Sequence, residues 1–298
     1  MYFIKKFNRG IFNKYQKGMP LLEIMAKDIN YLILKCINFF KAGFKNKTIL
    51  VYPHYPSRRS TIYRIAKYMG YNITNLPSKK YNIAVYWEYN THRVEFKLLE
   101  EKSNFSKIVN LYNRDISKVN VEKDFYAVFK YSTFVNPLVY KGKAVKKNDI
   151  NAKHDGKIID CPIDKTENEY IYQILIDNSH NDNLVMDIRV PVVKNLLDFV
   201  YIKYRNINER FTNTTIKTDL KHVTEIFSEN EIELLNKFCE KNYFEYGELD
   251  VLRNKNDNKI YVVDVNNTPL GPPKNTTRED KNKAIKKIAN EFKTVYNL

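Results

Sequence analysis

The chain of 298 residues carries 50 Lys and Arg against 34 Asp and Glu, a formal net charge of +16, and 43% of its residues are hydrophobic. That apolar fraction can build a core, which excludes a wholly disordered chain, and 8 glycines with 10 prolines exclude collagen-like and Pro/Gly-rich classes. The positive balance favours anionic partners (phosphates, nucleotides, nucleic acid or an acidic membrane surface) without choosing among them.

Residues 1–47 are basic and read as helical, with Leu21, Leu22, Ile24, Met25, Ile29, Leu32, Ile33, Phe39 and Phe40 near helical spacing. The expectation is a helix packed on the following domain, in preference to a membrane-surface helix, which needs a cleaner basic face. The most apolar run, 30–44, is broken by Lys35 and Lys41, so no transmembrane contact is expected, and residues 1–19 lack the unbroken apolar stretch of a secretion signal. A soluble, cytoplasmic protein is expected. Cys36, Cys161 and Cys239 are odd in number and widely spaced, which argues against a disulfide framework or zinc site and for buried thiols.

The run 48–53 reads as a short buried strand, followed by a helix over 59–69 with Ile62, Ile65, Ala66 and Met69 at i, i+3, i+4 and i+7 and Gly70 as its stop. Strands over 71–74 and 82–87, the latter closed by Trp87 as a core residue, complete a small α/β unit of Rossmann type. It contains no GxGxxG, so nothing local specifies a dinucleotide. From 117 to 198, short β-rich stretches alternate with polar turns, at 125–131, 137–140, 144–146, 157–159, 170–176 and 185–193, and predict an α+β region of antiparallel strands.

The last third carries the clearest signals. Ser228 and Glu231 form a capping box, with Phe227 and Ile232 placed as a hydrophobic staple, so a helix starts at Ser228 and ends near Asn242. Strands over 247–252 and 259–266, joined by a polar turn at 254–258, form a hairpin, and a final helix runs from about Thr277. Side chains alternate along a strand, so Glu248, Asp250 and Leu252 share one face and Ile260, Val262, Asp264 and Asn266 share another, with Asp250 opposite or diagonal to Asp264. Two adjacent carboxylates repel unless compensated. One solution is a hard divalent cation, Mg²⁺ or Mn²⁺, held by Asp250, Asp264 and the oxygen of Asn266; the other is a Lys or Arg partner for each acid.

The stretch from Gly247 to Leu252, with Tyr261 to Pro269, resembles the C-terminal signature of the ATP-grasp superfamily: an acidic residue on one strand and Asp/Glu-x-Asn, then a proline, on the next. The resemblance implies that Asp250, Asp264 and Asn266 hold Mg²⁺ against the phosphates of ATP. It further implies a lysine strand, lid loop and second strand over 142–159, where Lys146 or Lys147 meets the α- and β-phosphates and residues 148–156 form the lid, carrying His154. The stretch 170–177 is similar to the family's hinge, with Gln173 near the adenine amino group and Asp177 near the ribose. Arg189, in an Asp-x-Arg strand with Asp187, would face the transferred phosphoryl group, and Arg205, Arg210 and Asn213 match a basic segment near the γ-phosphate. A guanidinium suits charge spread over phosphoryl oxygens.

The expected architecture is therefore α+β and α/β, an ATP-grasp fold with a small Rossmann-like pre-grasp domain: a basic helical segment at 1–47, the pre-grasp domain at 48–116, one grasp subdomain at 117–184 and a second at 185–298. The implied function is an Mg-ATP-dependent ligase that joins a carboxylate to an amine through an acyl phosphate on an unidentified small-molecule or glycan substrate. Two alternatives stand beside it: a phosphotransferase acting on a hydroxyl or sugar, and a basic nucleic-acid-binding or scaffolding protein, which no recognised nucleic-acid motif supports.

Overall fold

The computed structural model describes residues 21–41, 47–153, 155–212 and 214–298. His154 and Asn213 lie outside the described residues, as do residues 1–20 of the helical N-terminal reading.

Helix α1 (Leu21–Lys41) precedes a four-stranded parallel sheet made of β1 (Thr48–Pro53), β2 (Asn72–Thr74), β3 (Ile83–Trp87) and β4 (Ile108–Val109), in the order β2-β1-β3-β4. Helix α2 (Thr61–Met69) buries Ile62, Ile65, Ala66 and Met69 and ends at Gly70, whose left-handed φ of 71° needs no Cβ. The Rossmann-type unit and the core position of Trp87 stand as expected. Helix α3 (Lys97–Ser103) and the short β4 were not foreseen.

The stretch 125–131, expected as a strand, is instead the end of helix α4 (Lys118–Phe129). Its Val121, Phe125 and Phe129 recur every four residues and share one buried face, and Ser117 caps it by accepting from the Asn120 amide. Aromatic and β-branched content suggested a strand; the period of the buried positions is helical. The stretch 137–140 is a turn, with Asn136 Oδ1 accepting from the Leu138 amide at 3.1 Å.

A three-stranded antiparallel sheet follows, ordered β6-β5-β7, from β5 (Gly142–Asn148), β6 (Lys157–Cys161) and β7 (Tyr170–Ile174). The central antiparallel sheet contains β8 (Leu184–Val193), β9 (Asn195–Leu196), β10 (Phe199–Asn206), β11 (Lys217–His222), β12 (Tyr246–Arg253) and β13 (Ile260–Asn266), with the path β11-β10-β8-β12-β13 and β9 on β8. Helix α5 (Val223–Ile226) and helix α6 (Glu229–Lys241) lie between β11 and β12, and α6 has the expected Ser228 capping box. Helix α7 (Arg278–Val295), capped by Thr277, ends the fold.

Alternation along the central strands decides where the site can be. Ile188, Val190, Val192, Val200, Ile202, Leu249 and Val251 face a core shared with Phe125 and Phe129 of α4 and Leu235 and Phe238 of α6. On the opposite face Val193, Phe199, Tyr201 and Tyr246 join the core of the parallel sheet with α2 and α7. Further along that same face the row becomes charged: Asp187 and Arg189 on β8, Lys203 and Arg205 on β10, Glu248 and Asp250 on β12.

Candidate functional site

Hairpin β12–β13 sets Asp250 directly opposite Asp264 and Glu248 opposite Asn266. The register slips between Asp250 and Val251, so β13 carries one extra residue, Val263. This corrects the single face expected for Ile260, Val262, Asp264 and Asn266. The bulge turns Ile260 and Val262 into the core, whereas Asp264 and Asn266 remain on the half-buried face with Asp250. Gly247 makes the close pairing possible: at φ 152°, an added Cβ would lie 2.3 Å from the Asn266 carbonyl oxygen.

The two aspartates have different surroundings. Arg189, Asp250's register partner on β8, grips it through both carboxylate oxygens, Nε to Oδ1 at 2.9 Å and Nη2 to Oδ2 at 3.0 Å, and Lys203 Nζ lies 3.6 Å from Oδ1. Burial opposes its ionisation, yet Arg189 and Lys203 hold the Asp250 carboxyl well below the usual carboxylate range. Among the described residues Asp264 has no ion pair; its Oδ1 accepts from the Val265 amide at 3.0 Å. Burial, reinforced by the negative Asp250, pushes the Asp264 carboxyl up, with Lys118 and Lys147 opposing.

Strand alternation separates the two candidate lysines of β5. Lys146 pairs with Glu167 and stands over the Tyr170 ring, 4.4 Å from its centroid. Lys147 faces the hairpin, its Nζ 3.5 Å from the Val263 carbonyl oxygen and in the field of Asp264 and Asp250. Burial, with Lys118 adding repulsion, brings the Lys147 ammonium down to about 8.

Gln173 is buried and donates to the Thr133 hydroxyl at 2.8 Å, and Thr133 in turn bonds Glu122. Asp177, held low by hydrogen bonds from Ser179, is partly exposed beyond the end of β7. Arg205 pairs with Asp187 at 2.6 Å and donates to the carbonyls of Arg210 and Thr212 at 3.0 and 2.6 Å, which leaves its buried Nε without a partner. Arg210 is the less engaged arginine, with Nη2 3.5 Å from Asn178 Oδ1. The lid's opening residues are anchored, since the Asn151 amide donates to Thr91 Oγ1 at 3.0 Å and the Asn151 side chain to the Ile116 carbonyl at 3.0 Å.

Three functional positions escaped sequence reading. Lys203 follows from period-two alternation in 199–206 once that run is seen as a strand. Lys118 opens α4, where the helix dipole disfavours a cation, and that misplacement was its signal. Its Nζ donates to the carbonyls of Asp149 and Ile150 and to Asn151 Oδ1 at 3.3, 3.2 and 3.0 Å. Glu248 is only 2% exposed, with Arg189 Nη1 3.4 Å from Oε2 but no hydrogen bond to either oxygen. The hydroxyls of Thr61, Tyr201 and Tyr246 are likewise buried without partners. Thr61 Oγ1 and Glu248 Oε1 lie 2.6 and 2.9 Å from where a Cβ on Gly271 would sit, so Gly271 keeps a small polar cradle open between them.

Among the described residues no three His, Cys, Asp or Glu side chains converge as a metal cluster. The hairpin nevertheless fits a hard divalent cation: an unpaired, half-buried Asp264 carboxylate is flanked by Asp250 and by Asn266, whose Oδ1 accepts only the Thr268 amide at 3.1 Å and keeps a lone pair free. Asp250 is the member of the set whose oxygens are already engaged.

No protein-family model matches the sequence, and no curated protein matches it. Solved structures do. A D-alanine–D-alanine ligase from Bacillus anthracis is 13% identical with a TM-score of 0.50, covering 84% of this chain and 96% of its own, and the same ligase complexed with ATP gives 13% and 0.50 over 85% and 99%. The ATP-grasp ligase PsnB, complexed with a phosphomimetic variant of its minimal precursor, Mg and ADP, is 8% identical with a TM-score of 0.52 over 85% and 99%. With a parallel sheet leading into two antiparallel sheets and a hairpin of paired acids, the chain has the ATP-grasp fold.

Proposed function

We propose that the protein is an Mg-ATP-dependent ligase that joins a carboxylate to an amine through an acyl phosphate, its second substrate a small molecule or glycan. The observation that carries this reading is the pairing of Asp250 with an Asp264 that has no cation of its own, beside the inward-facing Lys147. Asp264 and Asn266 would hold Mg²⁺, with Asp250 adding negative field, and the bound ion would neutralise phosphate charge. Lys147 would bind phosphate oxygens, and Lys118, whose three donors go to Asp149, Ile150 and Asn151, would add positive field. Asp177 would meet the ribose and Gln173 the adenine side. Arg189 is committed to Asp250 and orients it, leaving Arg210 as the arginine with donors to spare. A cytoplasmic setting, where Mg-ATP is plentiful, agrees with this reading.

The reaction balances without a protein nucleophile. A carboxylate oxygen of the substrate attacks the γ-phosphorus as the bond to ADP breaks; the amine then attacks the acyl carbon, phosphate leaves, and the amine proton passes to solvent. The Glu248 carboxylate, which pairs with Arg189 but accepts no hydrogen bond, and the unpartnered hydroxyls of Thr61, Tyr201 and Tyr246 suit an amine at the acceptor end.

Incubation with Mg-ATP, a panel of small carboxylates and hydroxylamine tests the reaction class. The expected result is ADP together with a hydroxamate for at least one carboxylate. A stable phosphorylated hydroxyl compound, with no hydroxamate for any carboxylate, would assign a phosphotransferase instead.

A further inference from the structure

Asn266 is held by a turn that spans Asn267, its Oδ1 accepting from the Thr268 amide at 3.1 Å. The direction of that oxygen therefore depends on where Asn267 sits. Asn267 is 1% exposed, and its side chain reaches the segment between β4 and α4: Nδ2 donates to Asn113 Oδ1 at 2.7 Å, while its own Oδ1 is buried without a partner. Among the described residues Asn113 is the sole partner of the Asn267 side chain. The backbone is tied in the same direction. The Asn267 carbonyl accepts from Arg93 Nη2 at 3.5 Å, and the Pro269 carbonyl accepts from the Thr61 amide at 2.9 Å. All three holds come from the parallel-sheet unit, since Arg93 and Asn113 follow β3 and β4 and Thr61 opens α2.

Asn113 is held just as closely on its other side. Its Nδ2 donates to the carbonyl and to Oδ1 of Asn242 at 2.9 and 2.7 Å, and Asn242, which ends α6, donates on to Asp124 Oδ2 of α4 at 2.7 Å. A carboxamide carries its donors on one atom and its acceptor on the other, so the fork to Asn242 fixes Asn113 Oδ1 toward Asn267. Asn113 and Asn242 are buried at 1% and 3% exposure, where a hydrogen-bonded chain selects one arrangement and an apolar contact would tolerate several. The arrangement selected is that of the residue next to Asn266. We propose that Asn113 is a positioning residue for the metal site: by locking Asn267 it sets the direction of the Asn266 oxygen beside Asp264. This rests on Mg-ATP binding as read above, and on neither the ligase nor the phosphotransferase chemistry.

Titration of Mg²⁺ into the full chain at fixed ATP, with ATP binding followed by calorimetry, gives the half-saturating Mg²⁺ concentration. Asn113→Leu, which keeps the volume and removes both arms, should raise it by about tenfold, the scale on which partners of metal ligands act. Asn242→Leu also strips buried hydrogen bonds but leaves Asn113 bonded to Asn267 and to the carbonyl at 242, so it should lower the melting temperature comparably with a Mg²⁺ requirement close to that of wild type. If Asn113→Leu does not fold, Asn113→Ser, which shortens the arm without adding apolar bulk, is read in its place. Mg²⁺-dependent binding in wild type with an unshifted requirement in the Asn113 variant would overturn the proposal alone. So would equal shifts in the Asn113 and Asn242 variants, because the loss would then follow stability. Wild-type binding indifferent to Mg²⁺ would overturn the proposed function along with it.

Discussion

Asp250 and Asp264 face each other across one strand pair, yet the first is held by Arg189 and Lys203 while the second, among the described residues, makes no ion pair and has only the more distant field of Lys118 and Lys147, so the demand for positive charge is left unmet on one side. The spacing of the acids was legible from the period-two pattern, and so was their pairing. What spacing could not reveal is which acid a guanidinium already occupies, because Arg189 lies 61 positions away and reaches Asp250 only through the β8–β12 register. The same holds for Lys146 against Lys147: adjacent lysines are equal in sequence, and only the outward partners Glu167 and Tyr170 tell them apart. Lys147 gives a pH signature. Its free-protein value of about 8 means that it is mostly charged at pH 7 and mostly neutral at pH 9. ATP affinity should therefore fall as pH rises through about 8, by at most about tenfold per unit. Lys147→Arg, which stays charged, should flatten the profile in a calorimetric pH series; the same decline in both proteins would remove Lys147 from the phosphate site.

The hairpin, α6 and α7 were fully legible as elements, because capping residues and a polar turn mark their ends locally. The bulge was not, since an extra residue in one strand leaves no local signature, and it reverses which of Ile260 to Val263 face the core. Helix α4 was misread because its aromatic content outweighed its four-residue period; α1 is a helix packed on α2 as expected, but Leu22, Met25, Ile29, Leu32 and Ile33 of its stripe are exposed, since a stripe in sequence does not state which side will be covered. Cys36, expected buried, is exposed in that same stripe. The hairpin's tight pairing depends on Gly247. Gly247→Ala places a Cβ against the Asn266 carbonyl and the Phe244 ring at a left-handed φ, and should destabilise the fold by about 2–4 kcal/mol. Urea unfolding measures this, and a loss under 0.5 kcal/mol would show that the hairpin relaxes without the glycine.

Across the whole molecule one sheet serves two purposes. One end of its open face closes the core with α2, α7 and the parallel sheet, and the other end carries a charged row facing the lysine strand. The overall charge of +16 gave little warning of this division, because it is spread along the sequence. The site is assembled from β5, β8, β10, β12, β13 and the start of α4, so its chemistry belongs to the assembled fold and to no single segment. In the function proposed above, Asp264 would take up a magnesium ion carried in with ATP. Isothermal titration of ATP into the full chain, with Mg²⁺ and with EDTA, tests that claim in wild type and in the near-isosteric Asp264→Asn variant. Binding should appear only with Mg²⁺ and weaken by about 10–100-fold in the variant; equal affinity in the two proteins, or binding indifferent to EDTA, would contradict it.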